Sequence, residues 1–247
     1  MFAYSNSPYL VRPDIPDAHR YAWGKIAAPG NWWTGAQRLA IAAETRRAAT
    51  CELCATRKQA LSPYGITGSH DTTSQNELSD TAVDAVHRLV TDASRLSESW
   101  LEQCAEAGLS DAHYVELLSV VVAVVSIDTF HAGLGFPLEP LPAPLSGEPD
   151  RYRPDAAKSE AWVPMLSGAS AIGSEADLFG GARMVPNVLR AMSLVPDAVR
   201  LLKVLSAAHY IPMEDVPDPS ASGGRALSRA QIELIAGRVS AMNDCFY

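Results

Sequence analysis

Ser110-Asp-Ala-His-Tyr-Val-Glu-Leu-Leu-Ser-Val-Val-Val-Ala-Val-Val-Ser-Ile-Asp-Thr-Phe-His-Ala-Gly133 is the stretch on which the fold turns. Its valines at 120, 121, 122, 124 and 125 suit a strand. More than twenty residues pass without a turn signal, however, and strands rarely run that far. The reading is a buried helix, opened by Ser110-Asp111 and closing near Gly133. Its longest apolar run, Leu117 to Ile127 with Ser119 inside it, is expected to be too short to cross a bilayer.

Working outward, the same signals recur. Ser97 to Ala107 reads as a helix ended by Gly108 at C′. Ser79-Asp80 caps a run whose Val83, Val86, Leu89 and Val90 share one helical face. Thr34-Gly-Ala-Gln37 is a capping box opening a further helix. Downstream, prolines 137, 140, 142, 144, 149 and 154 exclude regular helix and read as an extended linker. Helical signals resume at Val188 to Met192 and Val195 to His209, and a turn-rich stretch, Pro217 to Gly224, precedes a last helix. Nothing alternates with period two for long, so the chain reads as all-α.

With 247 residues, 47% hydrophobic and 19% charged, the chain is long and apolar enough to bury a core in one or two domains. Its net charge of −8 argues against nucleic acid or an anionic membrane as the main partner. Met1 to Pro8 holds neither a basic nor an apolar export region, so the cytoplasm is expected, with Cys51, Cys54, Cys104 and Cys245 reduced.

An internal repeat organises the chain. Ser228-Arg-Ala-Gln231 is a second capping box, offset from Thr34 by the interval that separates Cys245 from Cys51 (228 − 34 = 245 − 51 = 194). In the same register Ala36 matches Ala230, Ile41 matches Ile235 and Ala42 matches Ala236. Each copy is a helix of about four turns that delivers a cysteine to the start of the next helix, with Thr50, or Asn243-Asp244, as N-cap-type residues before it. A thiol in a first helical turn loses its proton more readily. In the first copy Cys51-Glu-Leu-Cys54 adds a second sulfur close enough to form a disulfide.

The run from Ser228 through Gln231-Ile-Glu233 to Asn243-Asp-Cys245-Phe-Tyr247 resembles the alkylhydroperoxidase D and carboxymuconolactone decarboxylase superfamily. That family carries a glutamate twelve residues before the first cysteine of a CxxC, the spacing of Glu233 and Cys245, and a histidine four residues after the second. The segment Asp111 to Pro137 resembles the family's closing helix. The resemblance implies a complete first repeat over 34–137 and a partial second over 184–247, with 1–33 as an N-terminal extension and 138–183 as a proline-rich linker. Tyr247 falls one residue short of the second cysteine position. The family pattern is also broken in the first copy. Leu39 aligns with Glu233, so the relay glutamate is either missing or replaced by Glu44 one turn later, and Lys58 stands at the histidine position.

What the resemblance implies is a thiol-dependent peroxidase or disulfide oxidoreductase. Cys54 would be the peroxidatic thiol and Cys51 the resolving one, with Lys58 stabilising the thiolate by charge. A hydroperoxide or small organic molecule would be the substrate and an external dithiol the reductant, with no cofactor, and the chain is expected to form a homo-oligomer. Glu233 is either a relay acid or a first-turn glutamate favouring the helix dipole. His131 could face the cysteine pair or be structural, and His70 lies on the loop after it. A zinc set of Cys51, Cys54, His70 and Cys104 lacks a standard ligand rhythm, so no metal is assigned. The competing readings are a cofactor-free decarboxylase or isomerase, a non-catalytic scaffold, and a thiol switch that reacts once.

Overall fold

The computed structural model describes every residue except 73, 75, 76, 183, 244, 246 and 247. Asp244, expected before Cys245 as a capping residue, and the terminal Phe246 and Tyr247 therefore lie outside the described residues. Among the described residues the fold is all-α, with one isolated bridge between Ala157 and Met165 and no strand. The helices are α1 (Asp14–Ala27), α2 (Gly35–Ala48), α3 (Glu52–Gln59), α4 (Asp80–Asp92), α5 (Glu98–Glu106), α6 (Asp111–Gly133), α7 (Asn187–Arg190), α8 (Pro196–His209) and α9 (Arg229–Met242).

The caps read from the sequence set the starts. Thr34 and Ser228 form complete capping boxes with Gln37 and Gln231. Ser79, Ser97 and Ser110 each accept a hydrogen bond from the backbone amide three residues on. Gly108, past the end of α5, has φ +95°, the left-handed conformation that a C′ residue needs. The apolar run in α6 belongs to a helix of 23 residues, long and apolar enough by length and composition to cross a membrane. Here it is the centre of the bundle. Leu117, Val120, Ala123, Val124 and Ile127 are buried, and the helix packs against α1, α2, α4 and α8.

Two segments are more deeply built in than the sequence suggested. Residues 1–33 contain α1, whose Ile15, Ala18, Ala22, Trp23 and Ile26 enter the core together with Phe2. The proline-rich stretch is extended, as its composition demands, but it is bonded along the body. Leu145 and Arg151 donate backbone bonds to the carbonyls of Ala27 (2.8 Å) and Asn31 (2.8 Å), and Trp23 Nε1 donates to the Pro140 carbonyl (3.0 Å).

Buried charge fixes the packing of α2. Arg38 pairs with Glu116 of α6, both almost fully buried, and Glu116 also accepts from the Trp32 amide (2.7 Å). Gly30 lies against this pair: a Cβ there would overlap Glu116 Oε1 and Arg38 Nη1. Further along α2, Arg46 donates twice to Asp128 of α6 (2.8 Å each). Removing one member of a buried pair leaves an uncompensated charge, which costs about 3–5 kcal/mol. Glu116→Ala should lower the urea unfolding free energy by about that much, and Gly30→Ala, which only displaces the two side-chain ends, should lower it by less. A loss below about 1 kcal/mol in both variants would contradict this assignment.

A chain of hydrogen bonds ties the N-terminus to α1, α6 and α8. His131 Nδ1 donates to the Pro137 carbonyl (2.7 Å), and its Nε2 meets Tyr4 Oη (2.9 Å). Tyr4 Oη meets His19 Nδ1 (2.6 Å), and His19 Nε2 meets His209 Nε2 (2.6 Å). One set of tautomers of uncharged rings satisfies every atom, with donation running His209 to His19 to Tyr4 to His131 to Pro137. Burial, then the neighbouring His209 and His131, pushes the His19 pKa down from 6.5 to about 3. The unfolded chain therefore takes up a proton below pH 6.5 that folded His19 refuses until about 3, so stability present above 6.5 is lost as pH falls through that window. His209, His87 and His113 are shifted the same way. The melting temperature of the wild type should fall between about pH 7 and 5, above most carboxylate titration, and His19→Gln should fall measurably less over the same range. Equal slopes would remove His19 as a contributor.

Candidate functional site

The Thr34 box sets the register of α2 so that Glu44 points inward near its C-terminal end, fully buried. A short turn then leads to Cys51, the N-cap of α3, and Cys54 follows in the first turn. Thr50 does not cap this helix. Its hydroxyl donates back to the Arg47 carbonyl (3.2 Å), and Cys51 makes no side-chain cap bond. The two sulfurs are 3.6 Å apart, and both cysteines are free and buried.

A histidine reaches Cys54 from α4. His87 Nδ1 lies 3.3 Å from Cys54 Sγ, and His87 Nε2 lies 3.0 Å from Glu44 Oε2. Glu44 also accepts from Thr72 Oγ1 (2.5 Å). Burial pushes the Glu44 pKa up, but the bonds from Thr72, Ser74 and His87 outweigh it and hold the carboxyl below its ordinary value. Burial dominates at His87 and lowers its pKa against the pull of Glu44. The ring is therefore neutral, gives its Nε2 hydrogen to Glu44 and turns a bare Nδ1 to the Cys54 thiol.

His70, from the loop after α3, is placed by the cysteines on one side and Asp84 of α4 on the other. Its Nδ1 is 3.4 Å from Cys51 Sγ and 3.7 Å from Cys54 Sγ, and its Nε2 is 2.9 Å from Asp84 Oδ1. Burial lowers the His70 pKa, yet bonds to Asp84, Cys54 and Cys51 outweigh it and push it up to about 10. Burial likewise opposes the Cys51 thiolate, but His70 and the amide and thiol of Cys54 win, and the Cys51 pKa falls. Asp84 is held by Arg88 Nε (2.7 Å) and by Arg57. On its outer side the site meets a polar cleft of about 680 Å³, lined by His70, Asp84, Tyr64, Trp100, Gln103 and Cys104.

Of the residues singled out in the sequence, Cys51, Cys54, Glu44 and His70 meet here. Lys58 does not, because it is exposed on the outer face of α3, and the buried base of that helix is Arg57. His131 spends both ring nitrogens on Tyr4 and Pro137. Glu233 is bonded to Tyr210 and to Arg229 Nε (2.5 Å) at the surface, and Cys245 is exposed. Cys104 lines the cleft as a thiol, its pKa raised to about 11 by burial, and it stands outside the group formed by Cys51, Cys54, His70 and His87. His87 and Asp84 escaped the sequence reading. The signal for His87 was present, since it shares the apolar face of Val83 and Val90 at helical spacing.

No protein-family model, curated protein or solved structure matches the chain.

Sulfurs this close need only a small backbone and rotamer adjustment to bond. Mild oxidation of the reduced protein should give an intramolecular Cys51–Cys54 disulfide, seen by peptide mass mapping as the loss of two hydrogens. Cys104 should stay reduced. A disulfide joining other cysteines first would refute the geometry.

Proposed function

We propose that the chain is a thiol-dependent peroxidase or disulfide oxidoreductase of the alkylhydroperoxidase D type. The observation that carries this reading is the line Cys54–His87–Glu44, at 3.3 and 3.0 Å, with Cys51 3.6 Å from the same sulfur. It supplies a nucleophile, a base, an orienting carboxylate and a resolving thiol, although the histidine and glutamate sit at positions unlike those of the family pattern.

In the cycle, His87 Nδ1 takes the Cys54 proton, and the thiolate attacks the outer oxygen of a hydroperoxide. The O–O bond breaks, the alkoxide leaves with the proton returned by His87, and Cys54 becomes a sulfenic acid. Cys51 attacks that sulfur, water departs and a disulfide forms. An external dithiol then restores both thiols by exchange. Glu44 keeps the His87 tautomer correct throughout, and substrate approaches from the polar cleft beside His70.

The repeat belongs to the same reading. It is supported by the matching capping boxes of α2 and α9, each with a cysteine just past the helix end. Ile41 is fully buried in α2, whereas its counterpart Ile235 is 55% exposed beside Leu234, Val239 and Met242 on α9. An apolar face of this kind supports self-association of the chain.

General acid–base help is typically worth about 10²–10⁴ in rate. In a dithiothreitol-coupled hydroperoxide assay, Cys54→Ser should abolish turnover and His87→Ala should lower it by about that factor. Lys58→Ala should leave it intact. Full turnover by Cys54→Ser would overturn the proposal.

A further inference from the structure

The peroxidase line uses one histidine and one carboxylate, yet the site contains two such pairs of the same construction. His87 is bonded through Nε2 to Glu44 and His70 through Nε2 to Asp84. Both carboxylates are anchored in turn, by Thr72 and by Arg57 and Arg88. Each pair presents Nδ1 to the same point, which the two sulfurs also face, and the four atoms lie within 4.8 Å of one another. The second pair has no task in moving the Cys54 proton.

We propose that the reduced protein binds a zinc ion at this point, through Cys51 Sγ, Cys54 Sγ, His70 Nδ1 and His87 Nδ1. Ligand atoms placed tetrahedrally about 2.0–2.3 Å from a zinc ion stand about 3.3–3.8 Å from one another. Four separations lie in this range, 3.6 Å between the sulfurs, 3.4 and 3.7 Å from His70 Nδ1 to Cys51 and Cys54, and 3.3 Å from His87 Nδ1 to Cys54, and all four ligand atoms lie within 4.8 Å of one another. Two thiolates with two imidazoles select zinc over harder cations, which prefer oxygen. As the ion enters, the thiols and the Nδ1 of His70 release their protons to solvent, and the two thiolates neutralise the dication, so the assembled centre buries no net charge. Carboxylates on the far ring nitrogens are the usual outer partners of zinc-bound histidines. With four protein ligands the site is closed, and the ion would join the start of α3, the loop after it and α4. A bound ion occupies both sulfurs, so metal-loaded protein cannot reduce a hydroperoxide until the ion leaves. The inference needs only reduced thiols and stands whether or not the peroxidase reading does.

The test uses the full chain, reduced by a phosphine under anaerobic conditions and titrated with cobalt(II) alone, then with zinc. The expected result is one cobalt per chain, showing the visible bands of a tetrahedral site and thiolate charge transfer, both bleached by zinc. Cys51→Ser and His70→Gln should weaken binding at least about 100-fold and Asp84→Asn about 10–100-fold, while a Cys104→Ser/Cys245→Ser double variant keeps the full spectrum. An octahedral cobalt spectrum, or a tetrahedral one that survives loss of both His70 and His87, overturns the proposal. Wild-type protein decides the matter even if variants misfold. Equimolar zinc should protect Cys51 and Cys54 from alkylation while Cys245 still reacts, and absence of protection overturns it. A cobalt site together with no hydroperoxide turnover by the metal-free protein would count against the peroxidase alone, and turnover without a cobalt site against the zinc ion alone.

Discussion

Helix α2 is buried on several sides while carrying charge on each, and that constraint governs much of the molecule. An ionised side chain in the interior is tolerable only with a partner in place. Arg38 and Arg46 therefore hold α6 through Glu116 and Asp128, and Glu44 holds α4 through His87. The same helix that organises the bundle aims the carboxylate behind the Cys54 thiol. Stability and site geometry are thus one arrangement, and α2 has little freedom to shift without breaking several charge pairs at once.

The surroundings of the dithiol are graded in access. Cys51, Cys54 and His87 are buried, and His70 stands between them and the polar cleft. A small oxidant or a cation must pass His70 and Asp84, both of which already interact with the sulfurs or with a group that does. On the two proposals made above, oxidation and cation binding would compete for the same pair of thiols.

Much of the fold was legible because helix starts are local chemistry. Thr34, Ser79, Ser97, Ser110 and Ser228 are caps both by residue type and by hydrogen bond. The long valine-rich segment was settled by its length. Helix α1 was passed over although Ile15, Ala18, Ala22 and Ile26 recur at helical spacing, because residues 1–33 were read only as an extension in front of the repeat. The site was legible only in part. Cys51 and Cys54 announce themselves by spacing, but the partners of Cys54 come from α4 and α2, brought together by packing rather than by sequence proximity. Counting four residues forward reached Lys58, on the wrong face of a short helix. The histidine beside Cys54 is His87, thirty-three residues away along the chain.

The histidine chain between α1 and α8 has a consequence during synthesis. His19 and His209 are 190 residues apart, and α1 packs directly on α8. At about 5–20 residues per second, α8 leaves the ribosome roughly 10–40 s after α1. Throughout that interval His19 lacks His209 and Lys25 lacks Asp197, so α1 waits without the helix it packs on. The N-terminal helix is made early and seated late, and a chaperone has those seconds in which to hold it.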